Sequence, residues 1–226
     1  MRTLVIAEAA ATHDGDLGKA ERLVDLAADI GADCCKFQYV SSAERLCDRR
    51  RAPEYLAAYR LLEFPLAWLG HLHNRCDTRG IEFMATCYLP EDLHVIAPYV
   101  ARFKVSSFEA TDAHFVALHA EWPEKPLIIS AGMGADLTAP LRRYDQLAER
   151  NGGTIPTWTI LHCVSAYPCP TDQIGLAAIR FNPWLYSLRP RPQGLSDHSR
   201  HPWTGALAVA AGAEIVEFHV RLDDTD

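Results

Sequence analysis

Leu127-Ile128-Ile129-Ser130 opens the stretch that decides the fold. It is followed by a helical pattern from Asp136 through Leu141, Tyr144 and Leu147, a stop at Asn151-Gly152-Gly153, and a second apolar run, Thr159-Ile160-Leu161-His162. Each apolar run is short and aliphatic, as a buried strand is. The Asp before the middle segment and the glycines after it are helix start and stop signals. Strand, helix and strand in that order make a crossover between parallel strands.

The same unit recurs outward in both directions. Upstream lie the runs Leu4-Val5-Ile6-Ala7, Cys34-Cys35-Lys36-Phe37, Ile81-Glu82-Phe83-Met84-Ala85 and Phe103-Lys104-Val105; downstream lie Gly194-Leu195-Ser196 and Ile215-Val216-Glu217-Phe218. With the opening pair that makes eight. Leu17, Ala20, Leu23, Val24, Ala27 and Ile30 repeat at helical spacing, with Gly31 as a stop. Pro65 opens a helix through Leu66, Leu69 and Leu72 that ends near Gly80, Asp112 caps one through Phe115, Val116 and Leu118, and Thr171 and Pro202 begin two more. Eight repeats predict an α/β fold, a parallel (β/α)8 barrel of the TIM type, formed by a single domain over 1–226. After the eighth run come only Arg221-Leu222-Asp223-Asp224-Thr225-Asp226, so the eighth helix is expected to be absent from this chain.

Composition narrows the class. The 226 residues are 49% hydrophobic and 23% charged, ordinary for a globular domain able to bury a core without staples. No stretch approaches the ~20 apolar residues of a membrane span. Met1-Arg2-Thr3-Leu4-Val5-Ile6-Ala7-Glu8 reads as a first strand rather than a secretory leader, and a cytoplasmic location is expected. The net charge of −7 provides no field for nucleic acid. Seven cysteines without a Cys-x-x-Cys spacing are expected to be reduced thiols, Cys34, Cys35, Cys87 and Cys163 lying in or beside apolar runs. Asp48-Arg49-Arg50-Arg51 is expected to be a solvated loop, the alternative being a clamp for an anion.

In a parallel barrel the side chains at the carboxyl ends of the strands carry the chemistry. Those positions hold Glu8, Lys36 and Gln38, Thr86, then Lys104, Ser107 and Glu109, then Ser130, His162, Asp197-His198 and His219. Two of the chain's four lysines fall among them. Singly, a lysine there could snorkel to solvent; together with the hydroxyls of Thr86, Ser107 and Ser130, the two suit a phosphate, or a phosphate with a carboxylate. His162 and His198 end successive strands and could share one divalent ion with open positions, Mn2+ being more natural for imidazole than Mg2+. Two other readings remain open: a Schiff-base aldolase or lyase with Lys104 or Lys36 as nucleophile, and a non-catalytic barrel that binds a sugar acid or supports a partner enzyme.

The segments also resemble the sialic acid synthase family. Ile6-Ala7-Glu8 with Thr12-His13-Asp14-Gly15 is similar to its I-A-E-x-G-x-N-H-x-G opening, and Lys36-Phe37-Gln38 to its K-F-Q. Phe103-Lys104-Val105-Ser106-Ser107-Phe108-Glu109 resembles F-K-I-A-S-[GF]-E, and Ile129-Ser130-Ala131-Gly132-Met133 resembles I-S-T-G-M. Leu161-His162-Cys163-Val164-Ser165-Ala166-Tyr167-Pro168 resembles L-H-C-x-S-x-Y-P, Leu195-Ser196-Asp197-His198-Ser199 the S-D-H-T block, and Glu217-Phe218-His219 with Leu222-Asp223 the closing E-K-H-F-x-L-D. The resemblance implies metal-assisted condensation of phosphoenolpyruvate with an open-chain amino-sugar aldehyde, giving a nine-carbon 2-keto acid. It further implies that Lys36, Gln38 and Thr86 hold the carboxylate of phosphoenolpyruvate, Lys104, Ser107 and Ser130 its phosphate, and His162 and His198 the metal. Glu8 would handle protons at the attacked carbon, while Glu109, Ser165, Tyr167, Asp197 and His219 would touch the sugar or orient the ligands.

Departures from the family pattern fall at Thr12, where the family has Asn, at Ala85-Thr86-Cys87-Tyr88-Leu89 in place of S-T-P-F-D, and at Ala131 in place of Thr. They imply retained phosphoenolpyruvate chemistry with an altered acceptor, the alternative being partial loss of activity. Family members carry a carboxy-terminal antifreeze-like domain that reaches into a partner subunit, and this chain is expected to be the barrel domain without it. A homodimer, or a partner covering the incomplete barrel end, is therefore expected, with Tyr186 to Gln193, including Arg189 and Arg191, as a candidate sugar-binding loop.

Overall fold

The computed structural model describes residues 2–134, 136–152, 158–181 and 193–223. Eight strands, β1 (Leu4–Ala10), β2 (Cys34–Tyr39), β3 (Glu82–Cys87), β4 (Phe103–Val105), β5 (Leu127–Ala131), β6 (Trp158–Cys163), β7 (Gln193–Asp197) and β8 (Ile215–His219), follow one another in sequence order around a closed barrel. All eight apolar runs are strands. By internal contacts the chain divides into two compact units, Met1–Val5 with Arg102–Phe218, and Ile6–Ala101 with His219–Asp226.

In the unit holding Ile6–Ala101, β2 pairs in parallel with β1 and β3, setting Glu8 opposite Lys36 and Gln38 opposite Thr86. Helix α1 (Leu17–Asp29) is capped by Asp16, whose carboxylate accepts from the Lys19 amide, and it buries Ala20, Leu23, Val24 and Ala27. Between β2 and β3 lie α2 (Ala43–Arg50), α3 (Leu56–Arg60) and α4 (Leu66–Arg79), the last stopped by Gly80 in the left-handed region. The α1 and α4 surfaces are tied by Arg75, whose guanidinium bonds both carboxylate oxygens of Asp25. Asp48–Arg50 is the last turn of α2 and Arg51 its left-handed cap, which corrects the expectation of a loop. The signal was hidden because α2 buries only Ala43, Leu46 and Cys47, too few positions to stand out against its charges. Arg50 lies over the rings of Tyr59 and Tyr88, at 5.5 and 5.1 Å from their centroids. A short α5 (Asp92–Ile96) follows β3.

In the other unit β4 to β8 run in parallel register, Leu127 opposite Phe103 and Trp158, and Ser196 opposite Glu217. Gly194 permits the close approach of β7 to β8, since a Cβ there would lie 2.4 Å from the Ile215 carbonyl oxygen. Helix α6 (Ala113–Leu118) is capped by Asp112, which accepts from the amides of His114 and Phe115. Asp136 accepts from the Thr138 amide at the start of α7 (Thr138–Arg150). Asp112 is the cap expected; at α7 the capping position is Leu137, which offers no side-chain acceptor, and Asp136 reaches in from one residue before it. The helices expected from Thr171 and Pro202 begin later, as α8 (Ala177–Phe181) and α9 (Thr204–Ala210), after a 3-10 turn at Thr171–Gln173 and an irregular turn at 198–203 respectively.

Among the described residues no helix follows β8, and none is long and apolar enough to cross a membrane. All seven cysteines are buried free thiols. Residues 186–192 of the candidate sugar-binding loop lie outside the described residues.

Candidate functional site

The carboxyl ends of the strands present two buried clusters, one in each unit. In the first, Lys36 is 3% exposed and its ammonium forms an ion pair with the carboxylate of Glu8, itself 2% exposed. The same ammonium donates to Thr86 Oγ1 at 3.2 Å. Gln38 is half-buried two residues further along β2, on the Lys36 face. A lysine this deep is tolerated only when a carboxylate and a hydroxyl replace the water it has lost. Val220 donates its amide to the Glu8 carbonyl at 2.9 Å, fixing the chain just after β8 against β1.

In the second cluster Lys104 is 4% exposed and donates to Ser130 Oγ at 2.9 Å, with the Val105 carbonyl oxygen at 3.4 Å. Glu217 Oε1 stands 3.4 Å from the Lys104 ammonium and accepts from Ser196 Oγ, also at 3.4 Å. Glu217 and Ser196 escaped the reading of strand ends because both lie inside their strands. The available signal was a carboxylate within the apolar run of β8, two residues before His219 on the same face. Beside them, Ser107 Oγ accepts from the Gly132 amide at 3.1 Å and donates to Cys163 Sγ at 3.6 Å. Gly132 has no room for a side chain without displacing hydroxyls: a Cβ would sit 2.4 Å from Ser165 Oγ and 2.6 Å from Ser107 Oγ. Burial pushes the Cys163 thiol up, but its contacts with His198 and Ser107 and the charge of Lys104 together hold it below the ordinary cysteine value.

The two histidines are each oriented by a backbone carbonyl. His162 Nε2 is 2.7 Å from the Ile174 oxygen, and His198 Nδ1 is 2.8 Å from the Val164 oxygen. A carbonyl can only accept, so each of those nitrogens carries a proton, leaving Nδ1 of His162 and Nε2 of His198 as lone pairs. That is the arrangement by which a carbonyl prepares a metal-ligating imidazole, so each ring by itself has the form of a ligand. Among the described residues no group of three or more His, Cys, Asp or Glu side chains is gathered as a metal cage. Tyr167, 69% exposed, places its hydroxyl 2.9 Å from His198 Nε2 and stacks on the imidazole at 4.0 Å between centroids.

The remaining residues picked from the sequence are placed differently. Glu109 is 1% exposed and engages the hydroxyl of Ser106 in its own turn, and Asp197 accepts from the Ser199 amide at 2.8 Å. Both carboxylates thus fasten the loops that carry the neighbouring polar groups. Ser165 and His219 are exposed.

Fold and clusters define the class: a parallel (β/α) barrel with charged and hydroxyl groups gathered at the carboxyl ends of its strands. The NeuB family model matches residues 23–226, and the chain belongs to the NeuB family. It is 30% identical over 234 residues to N,N'-diacetyllegionaminic acid synthase of Campylobacter jejuni, covering 98% of this chain and 68% of that protein. It is 32% identical over 237 residues to the protein of the same name from Legionella pneumophila, covering 99% of this chain and 65% of that one. The chain thus spans about two thirds of the length of these relatives. Among solved structures, the N-acetylneuraminic acid (sialic acid) synthetase of Leptospira borgpetersenii in complex with citrate superposes with a TM-score of 0.84 at 30% identity, covering 100% of this chain and 75% of that one.

Proposed function

We propose that this chain carries the catalytic barrel of a sugar-acid synthase, joining phosphoenolpyruvate to an open-chain amino-sugar aldehyde to give a nine-carbon 2-keto acid and phosphate. The observation that carries this reading is the pair of buried lysines, each held against a carboxylate and a hydroxyl. A neighbouring carboxylate favours the ammonium over the amine. The lysines therefore suit anion binding and not the neutral-amine attack that a Schiff-base enzyme requires.

In this reading Lys36, Gln38 and Thr86 take the carboxylate of phosphoenolpyruvate, and Lys104, Ser107 and Ser130 take its phosphate. The Gly132 amide and Ser165 hydroxyl lie beside Ser107 and extend the set of donors. His162 and His198 would hold a divalent ion, Mn2+ before Mg2+, which when bound supplies Lewis-acid polarisation of the aldehyde carbonyl. Carbon 3 of phosphoenolpyruvate forms the new bond to the aldehyde carbon, and water adds to the electron-poor carbon 2. Glu8, ion-paired with Lys36, takes a proton of that water and passes it to the new alkoxide at the former aldehyde carbon; phosphate departs with the bridging oxygen and takes up the proton that the carbon 2 hydroxyl loses as it becomes the ketone. Glu109, Tyr167, Asp197 and His219 would orient the sugar or the loops around it. Holding two reactants and a water in line is a large part of the rate gain.

The test is aldehyde-dependent phosphate release from phosphoenolpyruvate, run with N-acetylmannosamine-type and diacetamido hexose substrates, with and without EDTA. Release only when aldehyde and metal are both present is the expected result. Trapping of substrate on Lys104 or Lys36 by borohydride would overturn the reading in favour of a Schiff-base aldolase.

A further inference from the structure

We propose that His13 is a positioning residue for Glu8: its imidazole fixes the bulged end of β1 and the left-handed turn that follows, and so holds the Glu8 carboxylate in place against Lys36. The inference rests on the reading of Glu8 as the group that takes the water proton. The register of β1 on β2 slips immediately after the Glu8–Lys36 pair, because Ala10 and not Ala9 stands opposite Phe37. Such a bulge inserts one residue and re-aims the side chains beside it. Here the inserted residue is Ala9, whose carbonyl accepts from the amide and the hydroxyl of Thr12, at 3.1 and 2.9 Å. Ala10, Asp14 and Gly15 then take left-handed backbone, at φ 51°, 49° and 72°. Alanine and aspartate seldom do so, and the surroundings must hold them there.

His13 supplies that hold. It is fully buried, and its Nδ1 accepts from the Gly15 amide at 3.1 Å, closing the turn over Asp14. An amide can only donate, so Nδ1 is bare and the proton is on Nε2. Burial holds the imidazole below its ordinary value against the charge of Asp14, and Lys19 adds to the lowering, so Nδ1 stays an acceptor at neutral pH. The ring packs among those of Phe37, Phe64 and Trp68, with 6.4, 5.6 and 5.4 Å between centroids. Phe37 is the residue opposite Ala10 and lies between Lys36 and Gln38 in β2, so one side chain grips both strands at the slip. Nε2 is buried without a hydrogen-bond partner among the described residues. A phenylalanine would pack there without burying an unpaired donor. Packing alone does not call for a histidine; the bond from Gly15 does.

The experiment compares wild type, His13→Phe, His13→Asn and Glu8→Gln in the full chain. His13→Phe keeps an aromatic ring and removes the acceptor. His13→Asn keeps an acceptor at the reach of Nδ1 and gives up the ring. Displacing a reacting group by ~1 Å costs roughly a hundredfold in rate, so His13→Phe is expected to lower kcat about tenfold to a hundredfold while KM for phosphoenolpyruvate changes less than about twofold. His13→Asn is expected to melt at a lower temperature than His13→Phe and yet to turn over faster, with the Gly15 amide protected from hydrogen exchange in His13→Asn and not in His13→Phe. Turnover that follows melting temperature across the two variants, or wild-type turnover by His13→Phe, overturns the positioning role. Carbon-13 spectra of glutamate-labelled protein without substrate give a readout independent of turnover. The Glu8 carboxyl resonance, identified by its loss in Glu8→Gln, is expected to shift in His13→Phe and to return in His13→Asn; an unmoved resonance also overturns the proposal. Glu8→Gln as active as wild type overturns the reading of Glu8 and the proposal with it, whereas the other failures leave that reading standing.

Discussion

Replacing Lys104 by Met removes one charge of a buried pair and leaves Glu217 without it. At the observed 3.4 Å, with an effective dielectric of ~20, the two charges attract by roughly 5 kcal/mol. Desolvating each ion costs several kcal/mol, so the intact pair is close to neutral for stability, while breaking it costs about 3–5 kcal/mol. Lys104→Met and Glu217→Gln are each expected to lose about that amount. The double variant, with neither charge, is expected to recover most of it because the uncompensated ion is gone. Urea unfolding followed by circular dichroism measures this through the midpoint at constant slope. Binding of phosphoenolpyruvate, measured by calorimetry, separates structure from function: the double variant regains stability but still fails to bind, because it lacks the ammonium proposed to meet the phosphate. A loss below about 1 kcal/mol in Lys104→Met, or a double variant as unstable as the two single losses combined, would refute the buried-pair argument.

Two further outcomes follow from single positions. Gly132→Ala is expected to keep the fold, since the new Cβ meets the movable hydroxyls of Ser165 and Ser107, but to raise KM for phosphoenolpyruvate about tenfold by turning both away; steady-state kinetics beside a thermal melt check this. Burial pushes the imidazole of His119 down from 6.5 to about 4, the carbonyls of Phe115 and Val116 only partly opposing it. The unfolded chain then takes up that proton first, so the stability due to His119 is complete above about pH 6.5 and is lost as pH falls towards 4, in total about 3 kcal/mol. Unfolding free energies from pH 7 to 4.5 should fall less steeply in His119→Phe than in wild type, and parallel curves would contradict the assignment.

Much of the barrel is legible in the sequence because period and punctuation agree. Asp112 and Asp136 sit where helices need acceptors, and Gly80 sits where a left-handed residue ends one. Phe103–Val105 is a strand with the bounds its apolar run suggests. The β2–β3 connection was less legible. Helix α2 buries three residues and exposes its charges, so its pattern is weak, and Ser42, its cap, stands outside any apolar run. The site was legible in kind, since Lys36, Thr86, Lys104 and Ser130 join buried clusters. What sequence order could not supply was pairing. The partnership of Lys104 with Glu217 depends on the register of β4 to β8, and that of Tyr167 with His198 on the path of a loop. Glu109 and Asp197 looked like ligand-binding carboxylates because their types allow it, yet each first satisfies the polar groups of its own turn.

The central claim is that the buried ammonium groups hold an enol phosphate while carbon 3 attacks an aldehyde and water adds at carbon 2. Turnover of phosphoenolpyruvate carrying oxygen-18 in the bridging position, with mass spectrometry of both products, tests it most directly. The account predicts that the label leaves with inorganic phosphate and that the new 2-keto acid takes its oxygen from water. Label retained in the keto acid, or no phosphate released with any amino-sugar aldehyde while metal is bound, would contradict it.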